Sequence, residues 1–320
     1  MRGGAGWQVT ELFLKSEIFQ PGQSKHQAKE QARAELQRLG QPATWRNVGA
    51  RLPIFSYGTA QEYKDVWHNF AAFSKTNLGI RDIEKTTGNH ISAYLNNRAE
   101  AGVSRATFAK ESAALAKLEL ALNKYSEKLH RGNEYTFRTD IDRAVSAHGR
   151  ELARFTGSRA YAAPEQMISN ITTSEHQLVA RIQYESGARV SEAGFIRPEQ
   201  LRGIGTDKIT GADRGCIGIV GKGGKANTIG MSPQTYRLLG RYLDENRELR
   251  IDHQAYRRNM SAAAQRTGQS YFGTHGLRWN FAVNRMEELQ GHGLSYETAL
   301  SETAHSMSHN RHDITEHYLD

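Results

Sequence analysis

The residue types with the most chemical potential lie close to the end of the chain. His275 and Arg278 stand at an H-x-x-R spacing, and His309 precedes Tyr318 by nine residues. A tyrosine hydroxyl can attack phosphorus, but its ordinary pKa of about 10 means that a neighbouring base must take its proton. Imidazole performs this role near neutral pH. The set therefore predicts Tyr318 as a nucleophile, with His275 as its base.

Three further polar residues lie upstream. Arg189 and Glu192 belong to the segment SGARVSEAG, and Lys222 belongs to VGKGGKANTIGM. Arginine binds phosphate oxygens through a rigid fork of donors, so Arg189 and Arg278 would stabilise the charge of a phosphoryl transition state. His309 would add a hydrogen bond there, Lys222 would protonate the leaving oxygen, and Glu192 would orient the site. These groups suffice to attack a phosphodiester, so we expect no cofactor and no metal.

Other interpretations of the same residues are weaker. The GKGG segment is not a nucleotide-binding loop, because Gly223 stands where that motif needs Ser or Thr after Lys222. His305 and His309 are one helical turn apart, but no acidic or cysteine partner lies at a recognised zinc spacing. Tyr318 alone could be a packing residue, and either arginine a structural ion-pair partner. Their joint order and spacing favour a catalytic site.

Composition favours a helical protein with a polyanionic partner. The 320 residues fit about two domains. Hydrophobic residues make up 38 %, Pro is scarce at 6 residues, and the net charge is +8. A basic surface of this kind indicates DNA or RNA. Cys216, the only cysteine, lies in the apolar run CIGIV and is interpreted as a buried strand residue. No stretch approaches a membrane span or an adequate signal core, so we expect a cytoplasmic protein.

Helical spacing of apolar residues predicts a small helical domain over residues 1–155. A cap at Thr59 precedes a stripe of apolar side chains, which are Tyr63, Val66, Trp67, Phe70 and Phe73. Ser104 caps a later helix, whose seam consists of Leu115, Leu118, Leu122, Tyr125 and Leu129. Stripes with three- and four-residue steps are typical of core faces. We find no catalytic constellation in this half.

The second half mixes helices with short strands. Gly157, Ser158 and Pro164 interrupt the helical pattern and mark a basic linker, after which we expect a second domain over residues 162–320. QLRGI, CIGIVG and ANTIGM read as strands, and residues 221–225 as the turn of a hairpin. The fold class predicted is mainly α with a small β-sheet.

At these positions the sequence resembles the tyrosine recombinases of the lambda-integrase type, which include phage integrases and Xer-like resolution enzymes. The family's A-R-x-S-E box is matched by residues 188–192, and its G-K-G-x-K hairpin by residues 221–225. Its H-x-L-R box is matched by residues 275–278, and its closing L-G-H box by residues 307–309, with Tyr318 nine residues on. The matched boxes cover roughly the second half of the chain.

The resemblance implies a helical core-binding domain and a mixed α/β catalytic domain that form a C-shaped clamp on double-stranded DNA. It implies a 3′-phosphotyrosyl intermediate, which a free 5′-hydroxyl attacks to restore the backbone. It also implies a homotetramer on two duplexes with inverted-repeat core sites, in a prokaryotic or phage-encoded protein associated with the nucleoid. Lys222 would be the catalytic lysine.

The sequence departs from the family at four places. Ser308 replaces the usual glycine, Met307 the usual leucine, and Trp279 stands where many members have histidine and is expected to pack. Only Leu319 and Asp320 follow Tyr318, so subunit control would be built differently or the chain would be a shortened form. Two alternatives remain: a type IB topoisomerase-like relaxing enzyme, and a non-catalytic DNA-binding protein on the same fold.

Overall fold

The chain folds as two compact units, Met1–Phe155 and Thr156–Asp320. The structure, a computed structural model, describes residue 1 and residues 3–221, 226–309 and 315–319. The boundary between the units lies inside the segment 150–165, where the helical pattern of the sequence breaks. Within the described ranges, no helix is both long and apolar enough to cross a membrane.

The first unit is helical, as its apolar periodicity predicts. Its helices are α1 Ala5–Lys15, α2 Lys25–Arg38, α3 Trp45–Arg51, α4 Tyr57–Asn77, α5 Gly88–Glu100, α6 Arg105–Lys128 and α7 Arg138–His148, with a 3-10 turn at Ile83–Lys85. Ser104 caps α6 as predicted, because its hydroxyl accepts a hydrogen bond from the Thr107 amide. The cap predicted at Thr59 is wrong: Ser56 caps α4 instead, three residues earlier, by accepting from the Thr59 amide.

The predicted apolar stripes of α4 and α6 form a large part of the core of this unit, which also contains buried residues of α1 and α5. Trp67 and Phe70 of α4 are almost fully buried, and so are Leu115, Leu118 and Leu122 of α6. The seam of α6 ends earlier than predicted. Leu129 is 41 % exposed, because the helix stops at Lys128 and leaves Leu129 in the cap position outside the core.

The second unit combines helices with two small antiparallel sheets. Its elements are α8 Pro164–Ser169, α9 Ser174–Ser186, α10 Val190–Ala193, β1 Phe195–Ile196, a 3-10 turn at Pro198–Gln200, β2 Leu201–Thr206, β3 Asp213–Val220, β4 Ala226–Met231, α11 Pro233–Asn246, β5 Leu249–Arg250, α12 His253–Arg266, α13 His275–Gly291 and α14 Tyr296–Ser306. The predicted fold class, mainly α with a small sheet, is confirmed. The pairing of β1 with β5 was not predicted, since two-residue strands carry no alternation to read.

The larger sheet has the strand order β2-β3-β4 and contains the predicted hairpin. β3 and β4 pair from Gly215 opposite Met231 to Val220 opposite Ala226, so residues 221–225 join them. Lys222 lies outside the described residues. Cys216 lies in β3 as predicted but is half-buried rather than buried, because side chains along a strand alternate between faces and its neighbours Gly215 and Ile217 take the inner one.

Candidate active site

The first part of the candidate site is built where α9 ends. Gly187 terminates α9 with a φ of 66°, a left-handed conformation that favours glycine. Arg189 follows at the cap of α10, where its backbone amide donates to Glu192 Oε2 at 2.7 Å and its Nη1 donates to Glu192 Oε1 at 2.8 Å. Glu192 is buried, whereas the Arg189 side chain is 25 % exposed. The carboxylate therefore fixes the guanidinium and leaves part of it open to solvent.

Arg278 lies in the first turn of α13 and is only 1 % exposed. Its Nη1 donates to the Gly187 carbonyl, and its Nη2 donates to the Met307 carbonyl at 2.6 Å and to His309 Nε2 at 2.8 Å. Its Nε is buried with no partner among the described residues. Burial and then the charge of Arg189 lower the pKa of Arg278. This guanidinium thus links the end of α9 to the turn after α14.

His309 is held between Arg278 and Thr315. Since the Arg278 guanidinium can only donate, His309 Nε2 accepts, and a neutral ring then carries its proton on Nδ1. Nδ1 lies 2.8 Å from Thr315 Oγ1, in position to donate to it. Burial, followed by the charges of Arg278 and Arg189, lowers the pKa of His309 to about 3. In this arrangement His309 supports Arg278, and its predicted hydrogen bond to phosphate would need a proton on Nε2.

His275 is the first residue of α13 and remains exposed. Its pKa is lowered, first by partial burial of its ring and then by the charges of Arg278, Arg189 and Arg159. A position at a helix N-terminus also disfavours the imidazolium. The ring is therefore neutral near pH 7, which is the form a proton acceptor needs.

Tyr318 packs at the centre of these groups and is 8 % exposed. Its ring centroid lies 6.3 Å from that of His275 and 5.7 Å from that of His309, and the Arg278 guanidinium carbon lies 5.9 Å from it. Trp279 covers the ring at 5.2 Å. The tyrosine ring thus lies about 6 Å from two histidine rings and from a buried guanidinium.

Two departures from the family's boxes have visible consequences. Ser308 has a φ of 58°, in the left-handed region where the family's glycine would be unstrained. Asn227 Nδ2 of β4 donates to the Ser308 hydroxyl, which connects the hairpin strand to the turn before His309. Trp279 is 3 % exposed and packs against Tyr318 and His317, so the expectation that it packs is confirmed.

The structure therefore brings six of the seven predicted site residues into one region of the second unit, namely Arg189, Glu192, His275, Arg278, His309 and Tyr318. The seventh, Lys222, is not described. Over the described parts of the chain, no group of three or more His, Cys, Asp or Glu side chains is arranged to hold a metal ion.

Sequence reasoning missed Thr315. Its hydroxyl contacts His309, and its carbonyl accepts the Tyr318 amide proton at 2.8 Å. The available signal was its position three residues before Tyr318, a spacing that places two residues on one face of a helical turn. Nothing in the spacing indicates the contact with His309, because a separation of six residues does not by itself bring two side chains together.

No family model and no curated protein matches this sequence. Solved structures do match. XerH site-specific recombinase bound to palindromic difH substrate in a post-cleavage complex has a TM-score of 0.61 and 17 % identity, over 98 % of this chain and 90 % of that chain. The XerH–difH pre-cleavage complex has a TM-score of 0.58 and 16 % identity, over 98 % and 92 %. The Tn1549 transposon integrase in complex with transposon right end DNA has a TM-score of 0.53 and 13 % identity, over 92 % and 94 %.

These matches define the class of fold. The chain has the fold of the tyrosine recombinases, and the predicted resemblance is confirmed at that level.

Proposed function

We propose that this protein is a site-specific DNA recombinase that cleaves and rejoins strands through a 3′-phosphotyrosyl intermediate on Tyr318. The observation that carries the proposal is the packing of Tyr318 among His275, His309 and Arg278, with Arg189 near enough to lower the pKa of both histidines. A nucleophile, a base and two permanent cations are the groups that phosphodiester attack needs. A fold shared with XerH and the Tn1549 integrase supports the same reaction.

In the proposed reaction the Tyr318 oxygen attacks the phosphorus and the bond to the 5′-oxygen breaks. Neutral His275 accepts the tyrosine proton, and Lys222 gives a proton to the departing 5′-oxygen. The two arginines neutralise the non-bridging oxygens, and Glu192 keeps Arg189 oriented. A free 5′-hydroxyl then attacks the phosphotyrosine and releases Tyr318. Because the phosphodiester energy stays in the protein–DNA bond, the exchange needs no ATP.

Arg278 has donors to offer in such a complex. A guanidinium carries five N–H groups, and its buried Nε–H finds no acceptor among the residues described. Burying an unpaired donor costs about 1–3 kcal/mol, so a phosphate oxygen that accepts from Arg278 would recover this free energy. Donation by His309 to a second oxygen would require its ring to leave the tautomer described above.

The proposed partner is double-stranded DNA with a specific, inverted-repeat core site. XerH is described with a palindromic difH substrate, and the Tn1549 integrase with transposon DNA. A net charge of +8 supports a nucleic-acid partner. Exchange between two duplexes would involve four protomers. A fold shared with site-specific recombinases favours this function over general relaxation of supercoils.

The test is covalent trapping. The full chain is incubated with a pool of randomised duplexes, each nicked so that the strand downstream of the cut diffuses away and religation is impossible. We expect a covalent protein–DNA band that survives denaturation, that forms in excess chelator, and that Tyr318→Phe abolishes. Tyr296→Phe, at a 42 % exposed tyrosine, is the control and should keep the band.

Two results would overturn the proposal. One is a covalent band of normal yield from Tyr318→Phe, which would place the linkage elsewhere. The other is the absence of any band from a wild-type protein that binds and enriches a specific sequence from the same pool, which would favour a non-catalytic DNA-binding protein.

A further inference from the structure

Thr315 touches both members of the candidate site that come from the end of the chain. Its side chain is fully buried. Its Oγ1 lies 2.8 Å from Nδ1 of His309, and its carbonyl accepts the amide proton of Tyr318 at 2.8 Å. Thr315 is therefore hydrogen-bonded to the His309 imidazole through its side chain and to the Tyr318 amide through its backbone.

The direction of the Thr315–His309 hydrogen bond follows from the opposite side of the ring. Arg278 Nη2 can only donate, so it occupies the lone pair of His309 Nε2. A neutral imidazole with an accepting Nε2 has its proton on Nδ1, and Thr315 Oγ1 is the acceptor within reach. Arg278 thus selects the Nδ1–H tautomer, and the threonine hydroxyl accepts its proton.

A hydroxyl differs from other acceptors because it can also donate. When His309 Nε2–H donates a hydrogen bond to a phosphate oxygen, Arg278 Nη2–H must turn to another acceptor, and a neutral ring then carries no proton on Nδ1, which needs a donor in its place. The rotatable O–H of Thr315 can supply that donor without moving the side chain. The tautomer change transfers no net proton: one leaves Nδ1 and one binds Nε2, through exchange with solvent. A carboxylate or a valine at this position could not serve both states.

We propose that Thr315 is a positioning residue whose hydroxyl holds the His309 ring in both tautomers, accepting from Nδ1–H in the free protein and donating to Nδ1 when Nε2–H faces a phosphate. Its backbone carbonyl accepts the Tyr318 amide proton and so holds Tyr318 beside that ring. The catalytic consequence rests on the function proposed above, whereas the tautomer in the free protein does not.

The first test needs no DNA. The full chain is labelled with ¹⁵N-histidine, and the His309 signals are assigned by comparison with His309→Gln. We expect wild type to show a protonated Nδ1 and an unprotonated Nε2, and Thr315→Ser to show the same pattern. Thr315→Val should keep Nδ1 protonated, because Arg278 still donates to Nε2, but should shift the Nδ1–H signal and speed its exchange with solvent, because that proton loses its acceptor. An unchanged Nδ1–H signal and exchange rate in Thr315→Val would overturn the proposal.

The second test measures the rate of covalent adduct formation on the nicked duplexes. Removing one hydrogen bond from a buried polar group should slow Thr315→Val by about ten-fold or more, with DNA affinity unchanged. Thr315→Ser should recover the rate to within about three-fold, since it keeps the hydroxyl. Thr315→Ala serves as a second hydroxyl-free variant if valine prevents folding.

Thr303→Val provides a matched control. Thr303 lies in α14, is also fully buried, and its Oγ1 has no hydrogen-bond partner among the described residues. Its substitution should leave the adduct rate and the His309 signals unchanged. Equal rates for Thr315→Val and Thr303→Val would refute the role of Thr315 while leaving the proposed function intact. A wild type that enriches a specific sequence but forms no adduct would instead refute the proposed function, and the tautomer measurement would still decide the role of Thr315 in the free protein.

Discussion

Replacing Gly187 by alanine should disturb the candidate site through a contact that can be located in the structure. Gly187 has a φ of 66°, and a Cβ built there would lie 2.4 Å from Cδ1, 2.9 Å from Cε1 and 3.0 Å from Cγ of Phe281. The ring cannot retreat freely, because Phe281 is 8 % exposed and packed with Trp279 and Tyr318. The carbonyl of Gly187 also accepts the hydrogen bond from Arg278.

The magnitude has two parts. A left-handed conformation costs a residue with a Cβ roughly 1–2 kcal/mol, and forcing extra volume into a packed core costs about 1–3 kcal/mol more. Gly187→Ala should therefore lower the free energy of unfolding of the second unit by about 2–5 kcal/mol. Gly268 is a matched control in the same unit, since it has a φ of 68° and nothing within 4 Å of a built Cβ. Gly268→Ala should show only the backbone cost.

Hydrogen exchange measured by mass spectrometry on the full chain can separate the two effects. Amides of α9 and α13 report the free energy of opening of the second unit. We expect Gly187→Ala to lose about 1–3 kcal/mol more than Gly268→Ala, the share assigned to Phe281. A double-mutant cycle with Phe281→Leu should recover part of that difference. Equal losses for the two glycine variants would refute the packing described at the end of α9.

Three further predictions concern charge. The folded pKa of His309 is about 3 and its ordinary value is 6.5, so between these values only the unfolded chain binds the proton. The free energy of unfolding should therefore fall as pH falls below about 6.5, by up to about 1.4 kcal/mol per pH unit. His309→Gln should reduce this slope in urea titrations, and an unchanged slope would contradict the burial of the His309 ring. Burial lowers the pKa of Lys117 from its ordinary 10.5 to about 8, so between these values only the unfolded chain binds the proton. The free energy of unfolding of the first unit should therefore rise between pH 8 and 10.5, and Lys117→Met should abolish that rise. Glu192→Gln weakens the ion pair that orients Arg189 and should slow adduct formation by about ten-fold without loss of DNA binding; an unchanged rate would remove Glu192 from the site.

The sequence predicted those elements of the fold that have a periodic pattern of apolar residues. Apolar steps of three and four residues located α4 and α6, and short apolar runs on either side of a glycine-rich turn located the β3–β4 hairpin. The errors fall at element ends, where periodicity says little: Ser56 rather than Thr59 caps α4, and Leu129 lies just beyond α6. Several nearby hydroxyls can cap a helix, and the folded backbone decides which of them accepts a hydrogen bond from the first turn.

The candidate site was predictable as a set of residues but not as a network. Spacing indicated that Arg278, His309 and Tyr318 act together, and the structure brings them together. It did not indicate that Arg278 would direct three hydrogen bonds to the protein, nor that Thr315 would hold the histidine. Such contacts join residues far apart in sequence through carbonyls and hydroxyls, whose partners only the folded backbone decides.

The most direct test of the account is to identify the amino acid that becomes bonded to DNA. The adduct trapped on nicked duplexes would be digested with nuclease and protease, and the peptide that carries the residual nucleotide would be sequenced by mass spectrometry. We predict a single modified residue, Tyr318, joined to a 3′-phosphate. A nucleotide on any other residue, or a 5′-phosphate linkage on Tyr318, would contradict it.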